Sequence, residues 1–169
     1  SQTIAAMDLA GTVSLPGSAP GTTLTVTGPW VGNGGTLRLG TALGDSASAT
    51  DRLVLSGSGA VASGRTSVQI TNLGGLGALT TGDGIEVVRA TGGATTTAQT
   101  SKDAFSLAGG HVDAGAYEYR LHAADASGAG ESWYLRSTAT GGGVSVPTYR
   151  AEVPLLAALP EQLREAGLA

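Results

Sequence analysis

Apolar and polar residues alternate along this chain in short bursts. Thr22–Thr27 places Leu24 and Val26 on one face, and Thr36–Leu39 does the same with Leu37 and Leu39. Leu53-Val-Leu55, Val68-Gln-Ile70 and Ile85-Glu-Val-Val88 continue the pattern. A period of two marks a strand with one buried face. The leading apolar residues Leu24, Leu37, Leu53, Val68 and Ile85 lie 13, 16, 15 and 17 positions apart by subtraction. Turn-forming runs separate them, among them Gly28-Pro29, Asn33-Gly34-Gly35, Gly44–Asp51, Ser63-Gly64-Arg65 and Thr80–Gly84. One such strand cannot bury its face alone, but a stack can. The spacing therefore predicts an all-β fold and leaves room for one to three short strands per coil of a parallel β-helix. An antiparallel sandwich gives the same periodicity, which does not separate the two.

Outside this repeat, Met7–Leu15 is a weak strand region and Pro16–Gly21 a break. Residues 91–102 are poor in apolar side chains and read as a protruding loop, with Thr91, Thr96 and Lys102 as candidate contact residues. Phe105-Ser-Leu107 resumes the strand pattern and Gly109-Gly110 turns the chain. The aromatics then gather. Tyr117 and Tyr119 alternate with Glu118 and Arg120 ahead of Leu121, and Trp133, Tyr134 and Leu135 follow the turn-rich Asp125–Gly130. These runs predict a β-hairpin. Each large aromatic buries about 150–250 Å² at about 25 cal/mol per Å². In a chain with 4% aromatics, much of the strongest burial sits here. Strand alternation keeps all five from pointing inward; the inward set is read as Tyr117, Tyr119 and one of Trp133 or Tyr134. Thr138–Val146, with Gly141-Gly-Gly143, reads as a flexible linker, and Pro160-Glu161 further on as a short helix start.

Composition narrows the function. The 169 residues suit one domain, and 28 glycines with 41% hydrophobics suit tight β packing rather than disorder. A net charge of −4 with scattered arginines speaks against nucleic acid and against a polybasic membrane site. No apolar run reaches 18 residues, and Ser1-Gln-Thr-Ile4 has no signal-peptide character. A start without Met reads as an excised or processed piece. With no Cys there are no disulfides or thiolate metal sites. His111 and His122, without an obvious carboxylate cluster, read as surface or cap residues rather than catalysts or metal ligands. Gly44-Asp45-Ser46 lacks a nucleophile elbow, and the Asn33-Gly34 and Asp83-Gly84 turns lack a calcium-ligand series. No Gly-rich run carries the lysine of a phosphate loop. The expectation is a non-enzyme without cofactors, whose aromatics form core and cap rather than a sugar- or protein-binding platform.

The ordered words Leu24-Thr-Val26, Val31–Leu37, Leu43-Gly-Asp45, Thr50–Leu55, Thr66–Asn72 and Thr81–Val88 resemble the C-terminal passenger region of type Va autotransporters, with its pertactin-like β-helix and autochaperone domain. Phe105–Leu107, Ala114–Tyr119, Trp133–Ser137, Tyr149–Leu155 and Ala158-Leu-Pro160 extend the resemblance to the end of the chain, with Ala151 where the family usually carries Pro. It implies a right-handed parallel β-helix of a few coils with a C-terminal capping hairpin. Residues 1–21 would end an upstream passenger coil, 22–137 would form the autochaperone β-helix, and 138–169 would lead to a translocator β-barrel absent from this chain. The implied function is to nucleate passenger folding and promote secretion to the bacterial cell surface through the outer membrane. Tyr117, Tyr119, Leu121, Trp133, Tyr134 and Leu135 would carry the capping. Partners would be the chain's own upstream passenger and barrel, and the outer-membrane assembly machinery through the parent protein, with the module itself a monomer. The alternative is an adhesin portion that contacts a host receptor.

Overall fold

The computed structural model describes residues 1–96 and 102–140. The architecture below belongs to the unit Ser1–Thr138. Its described residues are all β, with strands in two sheets. The larger sheet contains β1 (Gln2–Ile4), β4 (Thr23–Val26), β6 (Arg52–Ser56) and β8 (Ile85–Thr91) in parallel, in that order. The smaller sheet contains β2 (Met7–Leu9), β5 (Trp30–Thr41), β7 (Ala62–Asn72) and β9 (Phe105–Leu107), also parallel, with β3 (Thr12–Ser14) on the second half of β5. The chain thus passes between the sheets and stacks each new strand beside the last one of its kind. The weak region Met7–Leu15 is two strands separated by a bend, and β1 precedes it without any alternation strong enough to announce it.

Register explains why the sequence shows no strict repeat. In the larger sheet Gln2, Leu24, Leu53 and Val88 are successive partners, so returns take 22, 29 and 35 residues (24−2, 53−24, 88−53). In the smaller sheet Val13, Leu37, Val68 and Leu107 follow one another after 24, 31 and 39 residues. The 13–17-residue spacing of the sequence is therefore the step from one sheet to the other. A full return takes about two such steps and lengthens along the chain as the turns grow.

Val26, Leu37, Leu39, Leu53, Leu55 and Val68 are fully buried in the resulting stack. Trp30 is fully buried beside Ala62, its register partner, whose small side chain leaves room for the indole. At the bend of β5 and β7 the backbones come too close for side chains. Gly64 has a φ of +69°, and a Cβ there would lie 2.0 Å from the Gly32 carbonyl oxygen. Glycine is required on both counts.

One buried charge ties successive returns together. Asp51 is fully buried. Its Oδ1 accepts hydrogen bonds from the backbone N–H groups of Gly21 (3.0 Å) and Thr22 (2.8 Å), and its Oδ2 from Gly40 (2.8 Å). The carboxylate satisfies three backbone donors, and that of Gly40 is buried. Asn at this position presents an NH₂ group to one of those donors. Asp51→Asn is expected to lower unfolding free energy by about 3 kcal/mol in urea titrations. Asp103→Asn, which breaks only the exposed pair with Arg65, should cost less than about 1 kcal/mol.

Candidate functional site: the C-terminal cap

At β8 the parallel order of the larger sheet ends. β12 (Trp133–Ala139) runs antiparallel to β8, with Trp133 opposite Val88 and Leu135 opposite Ile85. β11 (Tyr117–Ala123) lies beyond β12, and β10 (Val112–Ala114) pairs antiparallel with β11 at the sheet edge. The expected hairpin is present as β11 and β12. β10 adds a third strand that sequence reasoning missed, because three residues between glycine turns carry too little periodicity. β12 also continues to Ala139, two residues past the expected boundary at Ser137.

The aromatic alternation sorts cleanly. Tyr119, Trp133 and Leu135 are buried, and Tyr117 and Leu121 are half-buried against the core. Of the pair left open by the sequence, Trp133 points inward. Tyr134 points outward, where the Arg136 guanidinium lies 5.7 Å from its ring centroid. Phe105 connects the cap to the stack. Its ring is 6.3 Å from Trp30 and 5.4 Å from Trp133, edge-on to the latter. Such contacts add about 0.5–1.5 kcal/mol per pair beyond burial.

Each buried polar aromatic atom has a partner. Trp30 Nε1 donates to Thr66 Oγ1 at 3.0 Å, and Trp133 Nε1 donates to Thr96 Oγ1 at 2.9 Å. Thr96 Oγ1 in turn donates to the Glu131 carbonyl at 2.6 Å, and the Thr96 N–H donates to Glu131 Oε1 at 2.7 Å. Thr96 is thus fully buried under the cap, which corrects its reading as a surface contact residue. Thr91 and Lys102 are exposed. Residues 97–101, the middle of the expected contact loop, and the expected linker and helix beyond residue 140 lie outside the described residues.

Tyr119 ties the cap to loops on earlier strands. Its hydroxyl donates to the Gly44 carbonyl at 2.7 Å and accepts from the Ala78 N–H at 3.0 Å. Ser137 adds a two-way link, accepting from the Thr80 N–H at 2.9 Å and donating its own N–H to Thr80 Oγ1 at 3.0 Å. Arg136 Nε and Nη2 donate to the carbonyls of Asp83 and Ala124, both at 2.8 Å. Asp125 shapes the turn between β11 and β12 by accepting from the N–H groups of Ser127 and Ala129 and from the Ser127 hydroxyl. The Ser127 hydroxyl above all, with the backbone donors, holds the Asp125 carboxyl below its usual range.

The outer face of the cap is polar. His111 Nδ1 lies 2.9 Å from Asp113 Oδ1 and 3.6 Å from Glu118 Oε2. The fold thus brings His111 to two carboxylates, one of them seven residues away in sequence, where sequence reasoning saw no cluster. His122 sits on the β11 face near Arg120 and Arg136. Desolvation lowers its pKa from 6.5, and the two guanidinium groups push the same way. This arrangement closes and fastens the end of a strand stack.

The family model described as Autochaperone Domain Type 1 matches residues 8–121. The chain is 43% identical over 128 residues to the uncharacterized protein YuaQ of Escherichia coli, covering 76% of this chain and 8% of that protein. It is 43% identical over 122 residues to the adhesin BmaC autotransporter of Brucella suis, covering 68% of this chain and 3% of that protein. It is 40% identical over 128 residues to the probable autotransporter YfaL of Escherichia coli, covering 75% of this chain and 9% of that protein. The chain thus spans less than a tenth of the length of each of these three relatives.

Three variants test the cap. Tyr119→Phe strands the Ala78 donor and is expected to cost about 1–3 kcal/mol of stability, read by urea titration. Tyr134→Phe, at an outward position, should cost less than about 0.5 kcal/mol. For His122, a folded pKa below 6.5 means that the unfolded chain takes up the proton first. Its contribution to stability is present above about pH 6.5 and is lost as pH falls toward the folded value. Comparing unfolding of His122→Gln and wild type between pH 7.5 and 5 checks this: the variant's profile should be flatter.

Proposed function

The chain belongs to the type 1 autochaperone domain family, and on that premise we propose that it nucleates folding of an autotransporter passenger. In this reading the alternating sheets are the last coils of a right-handed parallel β-helix, and β10–β12 are its C-terminal cap. The residues after β12 lead toward a translocating β-barrel. The parent is a cell-surface or outer-membrane-associated protein, and passenger coils upstream of this module fold against it as they emerge.

One observation carries this reading: an antiparallel aromatic cap ends the parallel stack on its C-terminal side. At the C-terminal end, antiparallel β12 covers β8, and Tyr119, Trp133 and Leu135 fill the last layer. A stack closed at one end grows by adding parallel layers at the other. Ordering a first coil loses chain entropy before any stacking repays it. A module that is already folded removes that barrier, and aromatic burial in its cap keeps it folded.

The adhesin alternative draws support from the name of one relative, BmaC. Burial of Thr96 removes one of its three candidate contact residues here.

The test uses an autotransporter carrying this region on the cell surface. Trp133→Ala loses the indole burial and its bond to Thr96, about 3–5 kcal/mol in all. The expected outcome is an upstream passenger that is poorly displayed or rapidly digested by added protease, while the barrel still assembles. A passenger that stays abundant and resistant rejects the nucleation reading.

A further inference from the structure

The outer face of β10 and β11 holds polar side chains that the capping role does not use. Asp113 and Glu118 are cross-strand partners in the β10–β11 ladder. His111 stands two residues before Asp113, and its ring reaches the same face, as its distances to both carboxylates require. One donor atom from each of the three lies within 4.8 Å of the others.

From this geometry we infer a binding site for a divalent transition-metal ion, with zinc as the ion that fits best. Zinc takes imidazole nitrogen and carboxylate oxygen at about 2.0–2.2 Å, which sets neighbouring ligands of a tetrahedron about 3.4 Å apart. The Nδ1 separations of 2.9 Å from Asp113 and 3.6 Å from Glu118 bracket that value. Small rotations of exposed side chains bring all three to one centre, and water completes the shell. The donor set selects the metal class. One imidazole and two carboxylates suit zinc and its neighbours, whereas calcium takes 6–8 oxygens.

Charge at the site sets the affinity. Asp113 and Glu118 bring two negative charges, and Arg120 Nη2, 2.8 Å from Glu118 Oε2, offsets one of them. The guanidinium competes with an incoming ion, so binding is weaker than in a thiolate site. Metal binding at Nδ1 requires a ring that carries its proton on Nε2, and it replaces the contact with Asp113. The ion joins the segment entering β10 to β11. It thereby staples a three-residue strand at the edge of the larger sheet. Binding to the folded form alone raises the thermal midpoint with zinc concentration.

The test titrates zinc chloride into the untagged, metal-free full chain against a chromophoric chelator. One zinc per chain is expected. His111→Gln and Asp113→Asn should each weaken binding at least tenfold, Arg120→Gln should tighten it, and His122→Gln should leave it unchanged. All these side chains face outward, and circular dichroism without metal checks that the variants fold. In the wild-type chain, zinc should also shift the ring nitrogen resonances of His111 and leave those of His122 in place. No binding at millimolar zinc, wild-type affinity in His111→Gln, or a shift confined to His122 overturns the site.

Discussion

A parallel strand stack always has one strand that lacks a neighbour, and the pairing of β12 with β8 meets that constraint here. The backbone donors and acceptors of β8 on that side need partners, and its inward residues Ile85, Val87 and Val88 need a covering layer. A further parallel strand would supply both and leave the same problem one layer on. An antiparallel strand that continues into a hairpin ends the series, because β10 at the far edge is only three residues long. Short edge strands are poor templates for further pairing.

The closing strand holds its place through the side chains it inserts. Trp30, Phe105 and Trp133 form a continuous aromatic contact from the middle of the stack into the cap. Both indoles donate to buried threonine hydroxyls, so the large rings bring no unsatisfied polar atom with them. Tyr119 does the same with a hydroxyl shared between Gly44 and Ala78. Loops separated by dozens of residues therefore depend on one side chain of the cap. Loss of such a group is felt in the cap and in earlier turns alike.

This coupling gives the module its direction. The C-terminal end of the stack is closed by an antiparallel strand and the aromatic side chains it inserts. Two of the scattered arginines serve as local fasteners. Arg52 donates to the Glu86 carbonyl and Arg136 to two loop carbonyls.

The sequence by itself determined the strands, because a two-residue period and glycine turns act locally. Leu24, Leu37, Leu53, Val68 and Ile85 all lie in or at the start of strands as their alternation required. It also determined the aromatic cluster, since four of the chain's seven aromatics, Tyr117, Tyr119, Trp133 and Tyr134, gather there. Three matters were decided only in the tertiary structure. The true repeat is the return to one sheet, and turns of varying length hide it from any fixed spacing. Thr96 looks like a loop residue because nothing in its neighbourhood shows that Trp133 will seek its hydroxyl 37 positions later. The His111, Asp113 and Glu118 group is invisible for the same reason: a cross-strand register, set by the β10–β11 pairing, brings those atoms together. Local pattern fixes which face of a strand is buried, but only the partner strand decides what that face meets.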